Sequence, residues 1–132
     1  MSGIEELLTA ARAARERAHA PYSGFKVGAA VRAADGSVHV GANVENAAYP
    51  EGICAETAAI AAMVMAGHDR IAEILVIAES KTPVTPCGGC RQRIREFAAP
   101  DTPVHLASTS GALHSVTLED LLPLSFGPEF LT

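Results

Sequence analysis

The chain has no tryptophan, and aromatic residues make up only 5% of its 132 positions. A core built from it cannot rest on large rings. It must be closed by small aliphatic side chains, and alanine is abundant enough to let helices sit close to their neighbours. Basic residues are also scarce: 10 Lys and Arg stand against 15 Asp and Glu, a formal charge of -5. Binding a polyanion needs a basic patch that neutralises phosphates. The densest candidate, Arg91, Arg93 and Arg95, is interrupted by Glu96 and reads as a solvated helix face. A nucleic-acid polymer is therefore not an expected partner. No apolar run reaches the roughly 18 residues that span a bilayer. The first twenty residues are too acidic and polar for a secretory signal, while Ile4, Leu7, Leu8 and Ala11 recur at helical spacing. No membrane partner is expected, and the location should be cytoplasmic. Cysteines number three. In a reducing compartment that count suggests metal or catalysis rather than a disulfide framework.

What is present is enough for a core. Hydrophobic residues are 48% of the chain, which argues against disorder. The length fits a single domain over 1–132. A small domain buries a lesser share of its surface alone, so part of the stability is expected from contacts between subunits.

The spacing predicts a helix over 3–19, capped by Ser2 and ended by Pro21. Strands follow over 25–34, with Val27, Ala29 and Val31 alternating, and over 37–42. Asp35-Gly36 forms the turn between them. A polar loop covers 43–53, a length usually reserved for function. Residues 54–66 are apolar on nearly every side, which predicts a buried helix with Gly67 at its end. The unbroken run at 73–78 predicts a strand covered on both faces. A Pro-rich loop at 81–86 leads to a helix over 88–97. Strands over 104–107 and 113–116 come next, then a short helix over 118–122 capped by Thr117. This order predicts an α/β fold with three α/β/α layers and a mixed sheet of about five strands. The strand-helix-strand units should add parallel neighbours.

Two clusters carry the chemistry. Cys54-Ala55-Glu56 opens the buried helix, and Pro86-Cys87-Gly88-Gly89-Cys90 opens the next. Helix starts gather at the carboxyl ends of strands in such sheets, so the three thiols can meet. Free N–H groups and the helix dipole favour thiolate there. Zn²⁺ suits such a set, and three protein ligands leave a fourth position open for water, as in catalytic sites. Glu56 need not bind metal and can exchange protons beside it. Other readings exist. A lone buried Cys is often only a small hydrophobe, and Cys87–Cys90 alone could be a redox pair. A structural zinc would want a fourth ligand, and His19, His39, His68, His105 and His114 all lie outside both motifs, as surface or strand-end residues. Three cysteines at two helix starts, with an acid beside one, favour catalytic zinc.

The pairing of a Cys- or His-x-Glu with Pro-Cys-x-x-Cys is an already described signature of zinc deaminases. Beyond it, the chain resembles the cytidine deaminases of the small, homotetrameric, three-cysteine kind over nearly its whole length. The likeness lies in PYSGFKVGAA at 21–30, NVEN at 43–46, YPEGICAE at 49–56, PCGGCRQ at 86–92 and LLPLSFGP at 121–128. It implies zinc-dependent hydrolysis of cytidine and 2′-deoxycytidine to the uridines, with release of ammonia, as in pyrimidine salvage. A related cytosine nucleoside, such as an aminoacyl-nucleoside antibiotic, is the alternative substrate. The resemblance also implies zinc on Cys54, Cys87 and Cys90, and Glu56 as the proton shuttle. Asn43 and Glu45 would hold the ribose 3′-hydroxyl, Phe25 the pyrimidine ring and the Ala55 N–H the base 2-carbonyl. Phe126 would reach a neighbouring subunit's pocket, with active sites near the interfaces of a homotetramer. From pattern alone, both Phe25 and Phe126 read as core packing. One position departs from the family: an Arg commonly follows the motif Glu, and here it is Thr57. Three thiolates on Zn²⁺ leave one net negative charge, so helix N–H groups and Arg91 are expected to offset it.

Overall fold

The strand with no alternation becomes the middle of the molecule. In this computed structural model, which describes residues 3–132, β3 (Ile71–Ala78) is buried along nearly its full length. A strand covered on both faces needs neighbours on both edges and layers above and below. It has antiparallel β1 (Val27–Ala33) on one side and parallel β4 (Pro103–Ser108) on the other. The edges are β2 (Val38–Ala42), antiparallel to β1, and β5 (Leu113–Thr117), antiparallel to β4. The order β2-β1-β3-β4-β5 gives the expected mixed five-stranded sheet. One expectation changes. The strand-helix-strand unit from β2 to β3 does not make neighbours, because β1 lies between them; among the strands of the described residues, the parallel pair is β3 with β4.

Helix α1 (Gly3–Arg15) covers one face, where Leu7 and Ala11 meet Ala30, Leu75, Ile77 and Ala107. Helices α2 (Ala55–Met65), α3 (Gly88–Phe97) and α4 (Leu118–Leu121) cover the other over Ala29, Val31, Ile74, Val104 and Leu106. These are the three expected layers. Strand β1 is buried on both faces rather than one, since Ala30 packs under α1 while Ala29 and Val31 pack under α2. Two glycines set the spacing. A Cβ on Gly28 would lie 2.2 Å from the Ala11 carbonyl of α1, and one on Gly41 would lie 2.3 Å from the Ala59 nitrogen of α2. Both helices ride directly on the β1–β2 hairpin because those side chains are missing.

Helix α1 ends four residues before the expected His19. Long-range backbone bonds take over: His19 N–H donates to Asn43 O, and Glu45 N–H donates to His19 O. That pairing ties the chain to the 43–45 strip and outcompetes another helical turn. The expected cap, Ser2, lies outside the described residues. Helix α2 is not buried all round. Ala55, Glu56, Ala59, Ile60 and Met63 face inward, while Ala61, Val64 and Met65 face outward. Gly67 ends it as expected, at φ 95°, with Gly67 N–H on Val64 O and His68 N–H on Met63 O. Thr117 caps α4 with a reciprocal bond to Asp120.

The histidines were expected at surfaces or strand ends, and His105 departs from that. It is 4% exposed, midway along β4 on the α1 face. Its Nε2 lies 2.8 Å from Glu73, its Nδ1 2.7 Å from Ser115 Oγ, and Glu73 also accepts from Arg32 at 2.9 Å. A polar row thus crosses β1, β3, β4 and β5 beneath α1.

Candidate active site

Both chemistry-bearing motifs sit at helix starts. Cys54 is the N-cap of α2 and Cys87 the N-cap of α3, each in extended backbone, with Cys90 in the first turn of α3. Both sulfurs therefore sit at helix N-termini. All three sulfurs lie within 4.8 Å of one another, and Cys54 Sγ is 3.9 Å from Cys87 Sγ. A tetrahedral zinc with bonds of about 2.3 Å needs sulfurs about 3.8 Å apart. The thiols therefore fit that ion, and they are the only such ligand group among the described residues.

Glu56 enters the same space from the first turn of α2 and is 4% exposed. Burial pushes its carboxyl up, while its own backbone N–H, the Cys90 thiol and the charge of Arg93 pull it down. The net effect is a rise, which makes the carboxyl a better proton acceptor than an ordinary glutamate. Among the thiols, burial pushes Cys54 and Cys90 up, while the Cys90 backbone N–H donates to Cys87 and holds it down. A bound dication favours the thiolate form of all three.

The thiols open onto a cavity of about 650 Å³, a volume suited to a small molecule. Its lining includes Phe25, Asn43, Glu45, Cys54, Ala55, Glu56 and Cys87, seven of the nine residues singled out from sequence. Cys90 is fully buried beneath it. Phe126 does not line it: that ring stands exposed on the tail, stacked on Phe130 at 5.3 Å. Ala55 begins α2, so its N–H has no partner within the helix.

Elsewhere on the cavity wall, hydrogen bonds fix the polar strip. Glu45 accepts from the Tyr22 N–H at 2.9 Å, the Ser23 N–H at 3.2 Å and the Ser23 hydroxyl. Chiefly through that hydroxyl, its carboxyl is held below the ordinary range and is ionised at neutral pH. Asn43 accepts from the Val27 N–H at 2.9 Å and donates to the Phe25 carbonyl at 2.8 Å. It therefore anchors the backbone that presents Phe25, and half of its hydrogen-bonding capacity remains.

Sequence reasoning missed several parts. Ser23 is the partner that orients Glu45. Tyr22 and Tyr49 wall the cavity, 6.1 Å apart edge to face, and Val84 and Thr85 from the Pro-rich loop close another side. PYSGF and the loop at 81–86 were visible, but nothing in their spacing marks those residues as lining. Arg91 was expected to offset the thiolate charge, and the bonds it makes are to backbone carbonyls. Its Nε donates to Pro86 O at 2.8 Å and its Nη1 to Leu121 O at 2.9 Å.

Residues 1–106 match the family described as cytidine and deoxycytidylate deaminase zinc-binding region. The chain is 41% identical over 129 residues to a cytidine deaminase of Sporosarcina psychrophila, across 98% of this chain and 95% of that protein. It is 44% identical over 123 residues to one of Halalkalibacterium halodurans, across 93% of each. Its fold matches the crystal structure of cytidine deaminase from Burkholderia pseudomallei with a TM-score of 0.91 at 44% identity, covering 96% of this chain and 100% of that one.

Proposed function

The chain belongs to the cytidine deaminase family, whose members are hydrolytic deaminases, and on that premise we propose that it converts cytidine and 2′-deoxycytidine to the uridines with release of ammonia. The observation that carries this reading is a buried carboxyl beside three thiols that fit zinc, at the wall of a cavity that an ionised, hydrogen-bonded acid also lines. Zinc held by Cys54, Cys87 and Cys90 supplies a Lewis acid that makes hydroxide available from water near neutral pH.

The chain's own residues do the rest. Glu56 accepts a proton of the attacking water and delivers it to pyrimidine N3, which makes C4 electrophilic as the hydroxide oxygen bonds to it. Glu56 then moves the remaining proton of that added hydroxyl to the 4-amino group, the C4–N bond breaks, and ammonia leaves while the oxygen becomes the 4-carbonyl. The Ala55 N–H donates to the base 2-carbonyl, and Phe25 packs on the ring. Glu45 accepts from the ribose 3′-hydroxyl, and the remaining amide hydrogen of Asn43 donates to it. A required free 3′-hydroxyl selects nucleosides over strands, as the net charge of -5 also does.

We further propose a homotetramer in which Phe126 enters a neighbour's cavity. In support, Phe126 and the outer face of α2 are exposed and apolar, and the tail is held to α3 by Gln92 on Phe126 O and Arg95 on Ser125 and Glu129. A free nucleoside as substrate sets the reaction in pyrimidine salvage, in a cytoplasm that keeps the thiols reduced. Among the described residues no helix is long and apolar enough to cross a membrane.

The test is the loss of cytidine absorbance with zinc-loaded protein. Conversion of cytidine and deoxycytidine, abolished by a chelator, supports the reading. Zinc-loaded protein that leaves both untouched but deaminates another cytosine nucleoside overturns the substrate assignment.

A further inference from the structure

The thiol cluster has an electrostatic problem that its own motifs do not solve. Three thiolates around a dication keep one net negative charge, and buried Glu56 stands beside them. Thr57, the residue after Glu56, offers only a hydroxyl 3.9 Å from Cys90 Sγ. Helix α3 carries three arginines. The Arg95 charge is paired with Glu129, and the Arg91 guanidinium is fixed on the Pro86 and Leu121 carbonyls. Among the described residues, Arg93 makes no hydrogen bond or ion pair.

Side chains on a helix lean toward its N-terminus and over the residue one turn back. For Arg93 that residue is Gly89, between Cys87 and Cys90. The Arg93 guanidinium folds over it: Nη1 lies 3.0 Å and Cζ 3.8 Å from where a Gly89 Cβ would stand. We propose that Arg93 is the cation that balances the thiolate cluster, a positioning residue that raises zinc affinity without binding the metal. Folding over Gly89 sets the charge at the start of α3, where two of the three sulfurs converge. The inference rests on the thiols holding zinc.

Zinc affinity, read by competition with a chromophoric chelator, tests it. Arg93→Gln should weaken binding about 10-fold, within the range typical of residues supporting metal ligands. Arg93→Lys should stay within about threefold of wild type, and Arg93→Glu should lose more than Gln. Adding Thr57→Arg to Arg93→Gln should restore affinity. The gap between wild type and Arg93→Gln should narrow near 1 M salt, where the screening length is about 3 Å. The side chain is exposed, so melting of the variants without metal should match wild type. Wild-type protein that holds zinc, with Arg93→Gln indistinguishable from it, overturns this inference alone. Equal losses in the Gln, Lys and Glu variants also overturn it, since charge would then not be the cause. Wild-type protein that holds no zinc overturns the zinc reading itself, and this inference with it.

Discussion

Substituting Gly41 with Ala should damage the catalytic site from the far side of a helix. A Cβ there would stand 2.3 Å from the Ala59 nitrogen, 2.6 Å from the Ala55 carbonyl and 2.7 Å from Ala58 Cβ. Two of these three neighbours are helix backbone, which no rotamer change can relieve. Restoring ordinary contact at about 3.4 Å needs α2 to lift from β2 by about 1 Å. Overpacking of this kind costs about 1–3 kcal/mol. At about 4 °C per kcal/mol for a chain of this size, Tm should fall by about 4–12 °C. The same 1 Å displaces Cys54, Ala55 and Glu56 at the start of α2, and misplacement on that scale costs about 100-fold in rate. Gly28→Ala is the matched comparison. Its Cβ would meet the Ala11 carbonyl at 2.2 Å, an equal clash, but against α1 on the opposite face. Both variants should melt earlier. Only Gly41→Ala should lose kcat per zinc-loaded chain, measured by cytidine absorbance with zinc assayed in parallel. Equal kcat losses in the two, or a Gly41→Ala rate within threefold of wild type, would refute the argument that α2 transmits the strain.

The polar row under α1 should make stability depend on acid. Burial pushes Glu73 up, but hydrogen bonds and charge from His105 and Arg32 outweigh it and hold it below the ordinary range. Its contribution is therefore full above the usual glutamate pKa of about 4.3 and is lost as pH falls toward the depressed folded value. Urea midpoints should fall more steeply below about pH 4.3 for wild type than for Glu73→Gln, and parallel slopes would contradict this. Ser23→Ala removes the strongest hydrogen bond on Glu45. A net loss of about 1 kcal/mol should raise KM for cytidine about fivefold with kcat little changed; an unchanged KM would contradict the role given to Glu45. Phe126→Ala should raise KM while zinc content stays at the wild-type level. If the protein proves monomeric by light scattering and KM is unchanged, Phe126 has no part in a neighbour's cavity.

Much of the site was legible because its parts are local. Cys54 and Cys87 precede residues that begin helices, so their spacing alone sets them at N-termini, and Cys90 follows within one turn. The bounds of α3 were readable for the same reason: Cys87 caps one end, and Ala98-Ala99-Pro100 cannot continue the other. What escaped was decided by partners far along the chain. Nothing near His19 says that it will pair with the 43–45 strip rather than extend α1. His105 looks like any strand histidine until Glu73, 32 residues away, faces it across the sheet. Helix α2 is apolar on every side, so its sequence holds no signal for which side meets β1 and β2. That Arg91 would be held by the Leu121 carbonyl, 30 residues on, is likewise a tertiary fact.

The most direct test of the central claim is turnover of cytidine by Glu56→Gln beside wild type, with zinc and nucleoside binding measured on the same samples. The account predicts about one zinc per chain and cytidine binding within a few-fold of wild type, but kcat lower by about 10³ or more. Turnover within tenfold of wild type would contradict Glu56 as the group that moves the protons.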